Sequence, residues 1–103
     1  MEFVHIGVIT DKQQEHEEFN EELKVYITDP KYTEFKYEYL RFVEGSPLPE
    51  IMQKNPHVAY KVKNMDKYLS ENEVIVEPFK VGDNLKCAFI INGGFIIELM
   101  EEC

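Results

Sequence analysis

Two segments of the chain begin alike, each with a histidine that opens an alternating apolar stretch. Residues 2–9 (EFVHIGVI) place Val4, Ile6 and Val8 on one face and Phe3, His5 and Gly7 on the other. Residues 57–62 (HVAYKV) place Val58, Tyr60 and Val62 on one face, with His57 and Ala59 opposite. Period-two alternation of this kind reads as a half-buried strand. In both strands the face opposite the histidine is bulky, and the histidine's own face is small two residues on. A bulky face packs against a helix. A face of His followed by Gly or Ala leaves room above the sheet. The two histidines are therefore expected to look into a cavity, one from each half of the chain.

The same patterning predicts the other elements. Thr10 and Gln13 resemble a capping box, and a short or irregular helix is expected between 10 and 23, where only Phe19 and Leu23 are large and apolar. Strands follow at 24–28 (KVYIT) and 34–43 (EFKYEYLRFV), with Asp29-Pro30 as a turn between them. Residues 45–56 (GSPLPEIMQKNP) read as a joint between two halves, with a helical turn after Pro49. Pro47 and Pro49 argue against an interior strand here, so the first half is expected to be abbreviated and to lack its last strand. Asn64 is placed to cap a helix over 65–70, with Met65, Tyr68 and Leu69 as its apolar stripe. A strand at 73–76 is expected to end at Pro78. Strands 85–91 and 95–100 are joined by Asn92-Gly93-Gly94, a hairpin signal.

Composition narrows the class. One domain is expected for 103 residues, and 44% apolar content supplies a core. A net charge of −9 disfavours nucleic acid and anionic membranes as partners. No apolar run approaches the roughly 20 residues of a bilayer span, and no signal peptide is evident. Cys87 and Cys103 have neither zinc-knuckle nor disulfide spacing, which fits reduced thiols and a cytoplasmic setting. Strand edges left open by an abbreviated half predict a homodimer.

The candidate chemistry centres on the histidine faces. Glu98 lies in a strand apolar on both faces, and a carboxylate there needs a cation, a metal or donors. Two imidazoles and a carboxylate suit Zn, Mn, Fe or Ni and leave positions open for a small-molecule ligand. His16, in an acidic stretch, reads as solvated. The sole arginine, Arg41, is either a stacked surface residue or an anchor for a substrate carboxylate or phosphate.

The run HIGV…HVAYKV…VEPF…AFIINGGFIIELME resembles the vicinal oxygen chelate superfamily, which includes glyoxalases, epimerases, bleomycin-resistance proteins and extradiol dioxygenases. The likeness covers residues 3–9 and most of 56–101. It implies an α+β domain of two βαβββ-type modules, about 1–50 and 56–103, forming a curved sheet around a cavity. It also implies a divalent metal held by His5, His57 and Glu98, with either Glu38 or Glu50 as a fourth ligand, and Glu98 as the catalytic base. The implied activity is a metal-dependent lyase or isomerase acting through an enediolate-like intermediate. The alternative is non-catalytic ligand binding of the bleomycin-resistance type, and two histidines with one carboxylate also match the iron facial triad of oxygen-activating enzymes.

Overall fold

The computed structural model describes residues 1–103. Eight strands form one sheet in the order β2-β3-β4-β1-β5-β8-β7-β6. The chain divides into two units, His5–Pro56 and Met1–Val4 with His57–Cys103. The two are related modules of four strands each on the βαβββ plan, complete in the second unit and without its helix in the first. No helix is long and apolar enough to cross a membrane.

The first unit holds β1 (Glu2–Ile9), which it shares with the second, then β2 (Glu18–Asn20), β3 (Val25–Ile27) and β4 (Tyr37–Phe42). β1 and β4 run parallel, with Gly7 opposite Glu38 and Ile9 opposite Leu40. β3 pairs antiparallel with β2 and β4. The strand expected at 34–43 begins only at Tyr37, because Lys36 takes a positive φ and Thr33 closes a turn on Tyr37 N–H at 2.7 Å.

The helix expected within 10–23 does not form. Thr10 Oγ1 accepts from Lys12 N–H, Asn20 Oδ1 accepts from Leu23 N–H, and His16 takes a positive φ. Side chains that bond the nearby backbone compete with helix formation, and two apolar residues bury too little to reverse this. The first unit thus lacks its helix and keeps its last strand, the reverse of the sequence expectation. The proline-rich joint carries the short helix α1 (Glu50–Lys54), with Met52 buried.

The second unit is complete: β5 (His57–Lys61), α2 (Met65–Glu71), β6 (Glu73–Val81), β7 (Leu85–Asn92) and β8 (Phe95–Glu102). β5 and β8 run parallel, with Ala59 opposite Glu98. Val62, Met65, Ala88, Ile90 and Leu99 form a buried core, flanked by Tyr68 and Leu69 of α2. Asn64 precedes α2 but makes no side-chain cap. Met65 N–H instead donates to the Glu101 carboxylate of β8 at 2.6 Å. β6 runs on through Pro78 rather than stopping there. It is the end strand of the sheet, where a missing N–H is tolerated, and the register shift between Val76 and Phe79 absorbs the proline.

Candidate metal centre

Strand parity selects one face of each module. In the first unit the parallel register puts His5, Gly7, Glu38 and Leu40 on the same side of the sheet. In the second it does the same for His57, Ala59, Ile96, Glu98 and Met100. The two sets correspond one to one: a histidine opens the first strand, a small residue follows two positions on, and a glutamate on the parallel last strand lies opposite that small residue.

The side chains close on each other within each module. His5 Nε2 lies 3.3 Å from Glu38 Oε1, and His57 Nε2 lies 3.1 Å from Glu98 Oε1. His5, His57 and Glu98 are buried, at 4%, 2% and 8% exposure, and Glu38 is half-buried. The ligand atoms of all four residues lie within 4.8 Å of one another. Donors around a common ion at about 2.1 Å are separated by at most about 4.2 Å, a spacing of the same order. Two imidazoles and two carboxylates make a borderline-hard set suited to Zn, Mn, Fe or Ni. The residues present therefore fit a divalent ion.

Glu38 is the carboxylate partner of His5, and Glu50 is not in the cluster. Glu50 is exposed on α1 and pairs with Lys54 one turn on, which lowers its carboxyl below the usual range. The sequence left Glu38 and Glu50 as alternatives, because it did not fix where the last strand of the first module lies. Without a helix, the last strand arrives earlier in the chain.

Arg41 lies on the opposite face of β4 from Glu38, on the side of its cross-strand partner Tyr26. Its guanidinium sits 4.1 Å over the Tyr26 ring and makes a two-pronged ion pair with Glu17, with Nε at 3.1 Å. The hydrogen bond from Arg41 lowers the Glu17 carboxyl below its ordinary value. The structure thus brings together His5, His57, Glu38 and Glu98 and leaves Arg41 and Glu50 apart from them. His16 is exposed and stacks on Tyr32.

Phe89 is the contributor that the sequence reading missed. Its ring meets His57 at 90° with centroids 5.3 Å apart, and β7 pairs it with Glu98. Its signal was present in the parity of LKCAFII, where Cys87, Phe89 and Ile91 alternate onto one face. A separate groove of about 360 Å³ lies among Met1, Glu2, Lys61, Val62, Lys63, Glu101 and Glu102. Its Lys61–Glu102 pair, 3.0 Å apart, lies at the C-terminal ends of the strands that carry His57 and Glu98.

No family model and no curated protein matches the chain. Among solved structures, it is similar to the crystal structure of a hypothetical protein from Bacillus halodurans C-125, with a TM-score of 0.70 and 21% identity over 99% of this chain and 94% of that one. At that identity the likeness speaks for the fold. The two related modules and their strand order are those of a vicinal-oxygen-chelate-like fold, and the buried His/Glu cluster is consistent with that superfamily.

Proposed function

We propose that the protein is a divalent-metal-dependent lyase or isomerase acting on a small oxygenated metabolite. The observation that carries this reading is the buried convergence of His5, Glu38, His57 and Glu98 within 4.8 Å. A divalent ion held there would supply Lewis acidity toward two adjacent oxygens of a substrate. Glu98 is the base in this reading: it would take a proton from the carbon beside a carbonyl, leaving an enediolate-like species. His57 orients that carboxylate through the 3.1 Å contact, and Phe89 fixes the imidazole from its side. Glu38 and His5 repeat the arrangement, so either glutamate has an imidazole partner for proton transfer. Burial keeps bulk water from the carboxylates and strengthens their interactions.

The test is metal analysis of untagged protein, followed by deuterium washout from hydroxyacetone in the metal-loaded form. Stoichiometric metal that disappears in His5→Ala and His57→Ala supports the reading. Washout that falls at least about 100-fold in Glu98→Gln, measured at a metal concentration that saturates the variant, assigns the base. A second reading is favoured by one observation: each imidazole already faces a carboxylate within its own module. Two such pairs satisfy each other, and the protein would then bind a ligand without catalysis. Absence of metal from protein that still binds small chelators would select this alternative.

A further inference from the structure

The second unit presents a wall beside its half of the cluster, and its chemistry restricts the ligand. Register places Ile96 and Met100 of β8 on the face of Glu98, and Cys87, Phe89 and Ile91 of β7 opposite them. β6 adds Phe79. Regular alternation would put Val76 and Phe79, three apart, on opposite faces. The shift between them, spanning Glu77 and Pro78, instead returns Phe79 to the same face, opposite Cys87. Phe79 then lies nearly parallel to Phe89, with an interplanar angle of 12° and centroids 6.5 Å apart. The rings of His57, Phe89 and Phe79 thus lead outward from the oxygen and nitrogen donors in one row. Phe79, Ile91 and Met100 are only half-buried, so this wall retains apolar surface to cover.

Cations are the missing feature. On β5, Lys61 shares the face of His57 but is tied to Glu102, four residues past Glu98 and roughly 13 Å along the strand. Arg41 is on the opposite face of β4, occupied by Glu17 and Tyr26. Lys80 and Lys86 pair with each other across β6 and β7 on the face opposite Phe79 and Cys87. A phosphate or carboxylate tail on the side of Phe79 and Phe89 would thus meet no lysine from these strands, and a chain of net charge −9.

We infer that the ligand of this site is an uncharged small molecule that offers two adjacent oxygens and carries an aromatic or bulky apolar group seated against Phe79 and Phe89. The inference rests on the metal reading above and adds the substrate class. Calorimetric titration of zinc-loaded, untagged protein tests it with three hydroxamates, each a two-oxygen chelator. Benzohydroxamate is expected to bind at least about tenfold more tightly than acetohydroxamate, and 4-carboxybenzohydroxamate to lose most of that gain. Phe79→Ala is expected to remove most of the preference for the phenyl group, with Phe79→Leu intermediate. Zinc affinity, which Phe79 does not touch, serves as the folding control for both variants. Equal affinities for the two neutral probes, or a preference untouched in both Phe79 variants, would overturn the inference while leaving the metal reading intact. Failure of the wild-type protein to bind zinc would overturn both.

Discussion

Replacing Glu101 by alanine removes a link between β8 and the start of α2. The carboxylate accepts from Met65 N–H at 2.6 Å and faces Lys86 Nζ at 3.3 Å, with the Glu101 side chain 20% exposed. A helix cap is worth about 1 kcal/mol, toward the upper end when the acceptor is charged. The partly exposed Lys86 pair adds a few tenths of a kcal/mol. Glu101→Ala should therefore cost about 1–2 kcal/mol, which for a domain of this size lowers the melting temperature by about 5–9 °C. Glu101→Gln keeps an acceptor for the amide and should lose roughly half as much. The sign of the pH dependence follows from the carboxyl being held below its ordinary value of 4.5, first by the Met65 amide and then by Lys86. A depressed folded-state pKa contributes stability that is fully present above 4.5 and is lost as pH falls through the folded-state value. Thermal melts followed by circular dichroism from pH 7 to pH 3 read both effects. The gap between wild type and Glu101→Ala should be constant near neutrality and narrow below pH 4.5. A variant that melts within about a degree of wild type at pH 7, or a gap that stays constant down to pH 3, would refute the capping argument.

Other expectations follow from the same geometry. Glu38→Gln should weaken zinc binding by at least about tenfold in calorimetry, whereas Glu50→Gln should leave it unchanged, because only Glu38 lies in the cluster. Leu99→Ala, at a position 1% exposed in the core under α2, should cost about 2–5 kcal/mol in urea denaturation with little change in slope. Arg41→Lys should destabilise the fold measurably at pH 7, since lysine offers neither the two-pronged pair to Glu17 nor the flat stack on Tyr26; unchanged zinc affinity in that variant would confirm that it acts apart from the cluster.

The second module was legible in the sequence because each of its local signals agrees with the others. His57 opens an alternating strand, Met65, Tyr68 and Leu69 mark a helix stripe, and Asn92-Gly93 marks the hairpin. The first module was harder to read because its signals are short. β2 and β3 have three residues each, too few for alternation to identify, and positions 10–24 are shaped by side-chain bonds to nearby backbone. Counting residues from His5 left both Glu38 and Glu50 open, whereas pairing is set by parallel register. Once Gly7 lies opposite Glu38 and Ala59 opposite Glu98, Glu38 stands as the first module's counterpart of Glu98. The helix cap was misassigned for a related reason: Asn64 is adjacent to Met65 in sequence, but Glu101, 36 residues past Met65, is adjacent to it in space.

An open sheet ends in two strands whose outer backbone groups are unpaired, and here both ends are poor templates. β2 offers three residues, too few for a stable strand addition. β6 is longer, but it is broken by two register shifts, carries a proline without an N–H, and displays the exposed side chains of Glu77 and Lys80. Proline, bulges and charges are the devices by which natural edge strands avoid recruiting other chains. A chain rich in apolar strand sequence such as CAFII and FIIELM keeps those segments in the interior of its sheet and presents only interrupted ones at the rim. The kink that turns Phe79 inward therefore also guards the protein against assembling edge to edge into aggregates.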